Sequence, residues 1–301
     1  MCESLIVETS DTFQRVSNPN LIASEPAMHR HEVNRHAGFV EGARRWAANM
    51  LVLSDQDRAV DGIFKDAGRF VAAMCAVSMR EEGVTLVKLK ALCARFGLLS
   101  AGRARAVLLF LRYLGYVEVW GQRRARGATH YKVNPTFVEA WRLQLEAIFT
   151  ALELIDPRVG RLLEHLDDDA TFDAICASQI DELADDVAAL NRFPEITQIF
   201  VNRAAGSQVL WYLLSFHRDD VFPSPKPVPL NPSNLAGRFH VSKVHIRRIL
   251  NAAIAANLLR WVDEGHVSFT PKALANLYDF YGAQMSCLLR TAYHILDLLD
   301  N

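Results

Sequence analysis

One order of local structural signals occurs twice in this chain of 301 residues, and it limits the fold more than any other feature. In the first copy, Thr85 and Ser100 each precede an amphipathic helix, and Gly97 and Gly115 end these two helices. Two runs of alternating β-type residues, YVEVW and THYKV, then flank a turn rich in Gly and Arg, before Pro135 begins another helix. The first copy therefore predicts two helices joined by a tight turn and followed by a β-hairpin.

The second copy, in residues 233–280, has the same order with only short differences in loop length. Corresponding positions in the two copies and in the apolar helices before them are Ile63-Phe64 and Ile199-Phe200, Arg95-Phe96 and Arg238-Phe239, Ser100 and Ser242, Arg105 and Arg247, Leu108 and Leu250, Gly115 and Asn257, and Asn134-Pro135 and Thr270-Pro271. Helix, turn, helix and hairpin is the order of a winged helix unit. We therefore expect a mainly α fold with small β-hairpin wings, in which two winged helix-turn-helix units in tandem are related by an internal pseudo-two-fold axis.

Length and composition agree with two globular domains, since half of the residues are apolar and 22% are charged. The expected divisions are a flexible N-terminal arm (1–36), a first winged helix unit with flanking helices (37–155), an acidic helical linker (156–190) and a second unit with a long C-terminal helix (191–301). The net charge of −1 conceals segregated charge, because acids outnumber bases between Glu153 and Asp186 while other segments are basic.

The second helix of each pair is expected to contact DNA, because such a helix fits the major groove with an apolar inner face and a polar outer face. In the second unit the inward positions are Val241, Ile246, Leu250 and Ala253. Its predicted DNA contacts, on outward or flanking positions, are Ser242, Lys243, His245, Arg247 and Arg248. The predicted contacts of the first unit are Ser100, Arg103 and Arg105. This first helix also carries Val107, Leu109 and Phe110, which need cover from another helix.

The two predicted hairpin turns differ in charge. The first turn and the strand after it carry four bases without an acid: Arg123, Arg124, Arg126 and Lys132. Such a wing suits contact with the DNA backbone or the minor groove. The second turn, residues 263–266, is short and acidic, so we do not expect it to bind phosphates. The sequence therefore predicts one basic wing and one blunt wing.

Two clusters of residues with metal-binding side chains occur in the sequence, and neither has the pattern that a metal site requires. His31 and His36 are five residues apart, whereas a zinc-binding helix of the zincin type needs two His four apart around a Glu, and the segment with His29 is predicted to be non-helical. The acidic run at residues 167–169 lacks the glycine and the spacing of a calcium loop, and we interpret it as a solvated linker. We expect no metal and no other cofactor.

No enzyme motif is present, since the chain has no Gly-rich phosphate loop after a strand, no Gly-x-Ser-x-Gly elbow and no Cys pair at metal spacing. The five cysteines, at positions 2, 75, 93, 176 and 287, are far apart and favour reduced core thiols, with a redox-sensing thiol as the alternative. No apolar run approaches the roughly 18 residues that a membrane helix needs. The first residues also lack a secretory signal, so we expect a cytoplasmic protein that is not an enzyme.

With these residues in place, the chain resembles the winged-helix regulators of the multiple antibiotic resistance (MarR) type, from about Gly62 onwards. The resemblance depends on the capped helices at Ser100 and Ser242 and on the hairpins that end at Pro135 and Pro271. It implies a transcriptional regulator that binds double-stranded DNA. Members of that family usually act as homodimers, whereas the covalently fused repeat implies a monomeric pseudo-dimer here, with a homodimer of whole chains as the alternative.

The resemblance also implies a small aromatic effector that alters DNA binding. The candidate pocket for it is near Trp141, Trp211 and Tyr212, with the plain core, where buried aromatic side chains more often belong, as the alternative. Two other functions stay open. Tandem winged helices also form protein-interaction or scaffold modules of the chromosome-segregation type, which the low net charge favours. A replication initiator of the plasmid type is the other alternative.

Overall fold

A computed structural model describes residues 30–121, 128–190 and 192–301. The described residues are mainly helical and carry two small antiparallel sheets of three strands each, which confirms a mainly α fold with small hairpins. Within those ranges, no helix combines the length and the apolar character needed to cross a membrane.

The first half of the chain contains seven α-helices and one three-stranded sheet in the described ranges. Their bounds are α1 Arg30–Arg35, α2 Phe39–Gln56, α3 Arg58–Ile63, α4 Ala67–Val77, β1 Val84–Thr85, α5 Leu86–Ala94, α6 Ala101–Tyr113, β2 Val117–Val119, β3 His130–Val133 and α7 Pro135–Leu152. The strand order of this sheet is β1-β3-β2, with both neighbouring pairs antiparallel.

Four α-helices follow in the described ranges before the second sheet begins. The remaining elements are α8 Gly160–Glu164, α9 Asp169–Leu190, α10 Pro194–Ile196, α11 Gly206–Ser215, β4 Val228–Pro229, α12 Pro232–Arg238, α13 Lys243–Ala255, β5 Leu259–Asp263, β6 His266–Phe269 and α14 Pro271–Leu299. The second sheet has the order β4-β6-β5 and is also antiparallel. From α4 to α7 and from α11 to α14, the chain therefore runs through the same order of helices and strands.

Matching local contacts join each helix pair to its hairpin. Gly115 and Asn257, which follow α6 and α13, both have positive φ angles, of 76° and 55°. The amide of Asn134 donates to the carbonyl of Gly115 at 2.7 Å, and the hydroxyl of Thr270 donates to the carbonyl of Asn257 at 2.6 Å. Glycine and asparagine tolerate the left-handed conformation better than other residues, so the same turn is made by different side chains.

The segment at residues 156–190, predicted as an acidic linker, forms part of the packed structure. Phe172, Ile175 and Cys176 on α9 are completely buried, and α9 packs along α14. The acidic run at residues 167–169 is exposed to solvent, as expected, but it also has structural contacts, since the carboxylate of Asp168 accepts from the backbone N–H of Thr171 at 2.7 Å and caps the start of α9. Asp169 forms ion pairs with Arg80 and Arg142, at 3.1 and 2.7 Å.

Residues 30–35 correct the expectation of a flexible arm up to residue 36. They form α1, which packs against α14, and the side chain of Val33 is completely buried. The side chain of Asn34 lies over Gly282, where a Cβ atom would come within 1.5 Å of the side-chain oxygen Oδ1 of Asn34. The amide of Asn34 also donates to Asp279 at 3.2 Å. The absence of a side chain at Gly282 therefore lets α1 dock closely, while the arm before residue 30 lies outside the described residues.

A buried polar network connects the two halves. The ammonium group of Lys65 donates to the carboxylate of Asp61 at 2.6 Å and to the backbone carbonyl of Phe239. Gln208 on α11 donates to the other carboxylate oxygen of Asp61 at 3.0 Å, and the backbone N–H of Ala205 donates to the carbonyl of Lys65. Asp61 is 3% exposed and Lys65 is 8% exposed. Asp61 and Lys65 therefore compensate each other's charge, and neutral groups of the second half complete their hydrogen bonding.

Replacing Lys65 with Met is expected to lower the free energy of unfolding by about 3 kcal/mol or more, because the Asp61 carboxylate stays buried without its cation. Chemical denaturation followed by circular dichroism measures the change. The matched control is Lys88→Met, which breaks an ion pair with Glu82 whose two side chains are 50% and 69% exposed. That control should cost less than about 1 kcal/mol. Equal losses in the two variants would show that the buried pair is not important for stability.

Candidate nucleic-acid interface

The second helix pair, α12 and α13, has the polarity that docking on DNA requires. The hydroxyl of Ser242 accepts from the backbone N–H of His245 at 3.1 Å and caps α13. The inner face of α13 is apolar and fully packed. Its buried residues are Ile246, Ile249, Leu250 and Ala253. Val241, predicted to face inward, lies just before the helix and is half-buried against the same core.

The outer face of α13 presents cations to solvent. Lys243, Arg247 and Arg248 are all exposed, as the sequence predicted. His245 differs, because its ring nitrogen Nε2 lies 2.6 Å from the carbonyl oxygen of Ala204 and the side chain is half-buried. The exposed basic surface of α13 therefore consists of one lysine and two arginines, while His245 ties the helix to the preceding segment.

A groove of about 350 Å³ lies beside α13, between the start of α12 and the turn of the second hairpin. Lys243 and Arg247 form its basic side, and Asn234 and Glu264 also line it. Asn234 was not among the predicted contacts. It is exposed on the first turn of α12. The Asn-Pro-Ser-Asn sequence at residues 231–234 caps and begins this helix, so it predicts that Asn234 lies on the first turn. An amide next to two cations adds a group that can both donate and accept hydrogen bonds.

The first helix pair, α5 and α6, has fewer unpaired cations. Ser100 caps α6 by accepting from the backbone N–H of Arg103 at 3.3 Å. The guanidinium of Arg103 donates to the carboxylate of Asp66 at 2.5 Å, although the Arg103 side chain is still 46% exposed. Arg105 is exposed on the same helix. Arg103 is therefore partly neutralised, and Arg105 is the exposed base near the start of α6.

The position three residues after each capping serine has the same structural role in both pairs. Arg103 reaches Asp66, the N-cap residue of α4, and His245 reaches Ala204, which precedes the N-cap residue of α11. Each second helix is thus tied to the start of the helix before its own pair. Their equal spacing from the capping serines aligns these two positions in the sequence. The sequence does not show that both side chains contact the start of a preceding helix.

The later part of α6 is covered, as its apolar residues require. Val107 is 5% exposed, and Phe110 lies against Gly62 and below the guanidinium of Arg69, 5.0 Å from the ring centre. Leu109 remains 47% exposed. Helices α3 and α4 therefore supply most of the cover, and the polar outer face of α6 consists of its first turns and of Arg112 in its last turn.

The two hairpins differ in the described part of their structure. Lys132 is exposed on β3, but the strand register places it opposite Glu118 of β2, an acid that precedes the acid-free segment of this wing. The predicted contacts Arg123, Arg124 and Arg126 lie outside the described residues. Like charges repel and opposite charges attract across a strand pair, so Glu118 weakens the positive potential at Lys132.

The acidic turn of the second hairpin has a structural cause. The carboxylate of Asp263 accepts from the backbone N–H of Gly265 at 2.8 Å, and the ring of His266 lies at 2.8 Å from the same oxygen. These contacts hold the pKa of Asp263 below its usual range, with the Gly265 N–H as the largest cause. Asp263 therefore stabilises this short turn, and this role explains why the tip of the second hairpin carries an acid.

The aromatic cluster predicted as a pocket is divided in the structure. Trp211 lines a cavity of about 220 Å³ between the two halves, whereas Trp141 and Tyr212 do not line it. Trp141 is 1% exposed and stacks on Phe70, with ring centres 5.3 Å apart. The hydroxyl of Tyr212 donates to the carbonyl of Pro229 at 2.8 Å. Of the three predicted residues, Trp211 thus lines the cavity, Trp141 belongs to the core, and Tyr212 lines the groove beside α13.

The other candidate sites carry no recognisable chemistry. Within the described residues, no group of three or more His, Cys, Asp and Glu side chains is placed to hold a metal ion. His29 and the side chain of His31 lie outside the described part, and His36 accepts from the backbone N–H of Gly38 at 3.1 Å. Four cysteines are described, and all four are buried. Burial raises the pKa of the Cys176 thiol, which keeps it protonated and unreactive.

Replacing Ser242 with Ala is expected to lower the free energy of unfolding by about 1 kcal/mol, because α13 loses its cap. Ser242→Asp should retain the stability of the original chain, since aspartate also caps a helix and favours the positive end of its dipole. Urea denaturation measures both variants, with Ser233→Ala on an exposed serine of α12 as the control. A stable Ala variant, or an Asp variant as weak as the Ala variant, would contradict the capping role.

Comparison with known proteins adds no further assignment. No protein-family model, no curated protein and no solved structure matches this chain. The geometry of the helix pairs and the charges on their outer faces are therefore the observations from which a function must be argued.

Proposed function

We propose that this protein is a DNA-binding transcriptional regulator built from two winged helix-turn-helix units in tandem. The proposal depends on the two faces of α13. This helix is capped by Ser242, buries an apolar face, and exposes Lys243, Arg247 and Arg248 to solvent. A helix of this polarity, following a short helix and preceding a hairpin, is the form that enters a major groove. In this interpretation α13 and α6 are the recognition helices, and the hairpins β2–β3 and β5–β6 are the wings.

The repeated order of elements supports an internal pseudo-two-fold axis, so that one chain acts as a dimer does in related architectures. The two recognition surfaces are not equal. Three exposed cations lie on α13, whereas on α6 Arg103 is paired with Asp66 and Arg105 is the exposed base beside it. The first unit then depends more on its wing, with Lys132 and the bases Arg123, Arg124 and Arg126. The protein is expected to bind two different half-sites as a monomeric pseudo-dimer.

A protein-interaction or scaffold module is the second candidate. Its support is the first unit, where Tyr113 at the end of α6 is 85% exposed and Trp120 after β2 is 50% exposed. Exposed aromatic side chains favour contact with a partner protein. The net charge of −1 supports this candidate as well. A replication initiator of the plasmid type would use the same DNA contacts for another task.

Duplex DNA binding should weaken steeply with salt and depend on the basic outer faces. Lys243→Ala combined with Arg247→Ala is expected to reduce the slope of log affinity against log salt by about 2, because each phosphate contact contributes about 0.9 to it. The variant Arg123→Ala/Arg124→Ala/Arg126→Ala should lose most of its affinity for duplex DNA. Fluorescence anisotropy with labelled genomic fragments at several salt concentrations measures both effects.

The control for charge removal is Arg45→Ala combined with Arg161→Ala, on two exposed arginines outside the helix pairs and hairpins. It removes the same charge and should leave the slope unchanged. Equal weakening by the control, or salt-independent binding, would refute recognition through α13. Absence of duplex binding by the unmodified chain, together with recovery of a protein partner through Tyr113 and Trp120, would favour the interaction module.

The preferred DNA site should be a pair of non-identical half-sites. The reason is that α13 and α6 present different cations at corresponding positions, such as Arg247 and Arg105, within different surroundings. Selection from a random DNA library by the purified protein, followed by sequencing, gives the preferred site. A perfect palindrome would contradict the pseudo-dimer and would instead indicate a homodimer of whole chains.

A further inference from the structure

Helices α6 and α13 both have 13 residues, and each begins directly after its capping serine, Ser100 or Ser242. Positions along the two helices can therefore be counted from the same point. At about 100° per residue, the second, fifth, sixth and ninth positions after the serine lie on one face of each helix. All four are exposed in both helices, whereas the fourth, seventh and eighth are buried. These four exposed positions form the outer face of each helix.

The fifth position of the outer face carries an exposed arginine in both helices, Arg105 and Arg247. With the residues that the structure describes, neither arginine forms an ion pair or a side-chain hydrogen bond. The third position differs, because its side chains, Arg103 and His245, contact the start of a preceding helix. Arginine is the side chain that most often binds guanine, through hydrogen bonds to O6 and N7 in the major groove. The fifth position therefore suits a guanine in both halves of a DNA site.

The sixth and ninth positions differ in chemistry between the two helices. In α6 they carry Ala106, which is exposed, and Leu109, which is 47% exposed. In α13 they carry Arg248 and Asn251, and both are exposed. The first pair of side chains offers only apolar contact, whereas the second pair can form hydrogen bonds. The two outer faces therefore suit different atoms at the edges of base pairs.

The surroundings of Leu109 favour a duplex as the partner that covers it. A single exposed leucine is common on protein surfaces. Here Arg105 and Arg112 are exposed on the same side of α6, so a partner that covers Leu109 must also accept two cations. Duplex DNA meets both needs, because it offers phosphates and guanine acceptors to the arginines and the methyl groups of thymine to the leucine.

The outer face is long enough to contact several adjacent base pairs. From the second to the ninth position the helix rises by about 10 Å, at roughly 1.5 Å per residue. Base pairs follow one another at about 3.4 Å along the duplex, and the major groove, about 12 Å wide, admits a helix. The fifth, sixth and ninth positions of one helix can therefore contact about three base pairs.

We propose that the fifth position reads guanine in both half-sites, and that the sixth and ninth positions make the half-sites differ. Ala106 and Leu109 of α6 pack against the methyl groups of thymines. Arg248 of α13 binds a second guanine, and Asn251 binds an adenine through its N6 and N7 atoms. This assignment rests on the proposed function, since it names the bases that the two recognition helices select.

An exchange of specificity tests the assignment, with the full chain and a random library of duplex DNA. The unmodified chain is expected to select one half-site with a guanine and thymines, and another with two guanines and an adenine. Ala106→Arg combined with Leu109→Asn gives α6 the side chains of α13 at the sixth and ninth positions. Both half-sites selected by this variant should contain the two guanines and the adenine. Retention of the original pair of half-sites would overturn the proposal.

The matched control is Ala177→Arg combined with Leu298→Asn, on an exposed alanine of α9 and on a leucine of α14 that is 54% exposed. It makes the same two changes of side chain outside the helix pairs and hairpins, and it should select the same half-sites as the unmodified chain. The reciprocal variant, Arg248→Ala combined with Asn251→Leu, should select thymines in both half-sites. An altered site in the control would show that the outer faces do not set the specificity.

A chemical change in the DNA tests the thymine contacts without any change in the protein. Replacing thymine with deoxyuridine removes only the methyl group. In the thymine-containing half-site this should weaken binding by about fourfold for each methyl group in contact, as measured by fluorescence anisotropy. Deoxyuridine outside the half-sites is the control and should have no effect. Equal affinity for the two forms of the half-site would overturn the thymine assignment, whether or not the exchanged variants fold.

Failure of the base assignment and failure of the proposed function give different results. Absence of duplex binding by the unmodified chain at low salt would refute the proposed function and the assignment with it. Salt-dependent duplex binding that does not respond to deoxyuridine or to the exchange of side chains would refute the assignment alone and leave the DNA-binding function standing.

Discussion

The buried pair of Asp61 and Lys65 is the interaction on which the arrangement of the two halves depends. Lys65 binds Asp61 on its own helix turn and also the backbone carbonyl of Phe239, while Gln208 binds Asp61 from α11. A buried charge is costly unless its partners are present, so a shift of the two halves that keeps both ions buried leaves hydrogen-bonding groups of the network unpaired. The network therefore favours one relative position of the two parts over a range of looser ones.

This constraint explains where the other features lie. Arg238 at the end of α12 forms a two-pronged ion pair with Asp55 of α2, at 2.6 and 3.0 Å. At the corresponding position of the first pair, Arg95 contacts Asp181 of α9 at 2.9 Å. Both helix pairs are thus joined to the central helices through the arginine at the same position. The cavity forms between those central helices, because their aromatic side chains meet without filling the whole space.

The structure also makes the two helix pairs unequal in a way that their aligned sequences do not. Arg103 and His245 occupy corresponding positions, and each binds the start of a preceding helix. In the first pair this contact uses a cation that would otherwise be free, whereas in the second pair it uses a histidine and leaves Lys243, Arg247 and Arg248 exposed. The second hairpin turn is short and acidic because the carboxylate of Asp263 stabilises it by accepting from the backbone N–H of Gly265. The charge that each helix pair can offer to a partner therefore depends on which of its charged side chains form contacts within the fold.

The sequence by itself determined the local elements, because their causes lie within a few residues. Ser100 and Ser242 cap helices where predicted, Gly115 and Asn257 end them, and the alternating runs form the hairpins. Caps, turns and period-two patterns act over short distances, so they can be read from neighbouring residues. The inward turn of His245, the pairing of Arg103 with Asp66, the helix at residues 30–35 and the division of Trp141 from Trp211 were not predictable in this way. These features depend on contacts between residues far apart in the chain, such as Asn34 with Gly282, and only the packing of the helices brings such partners together.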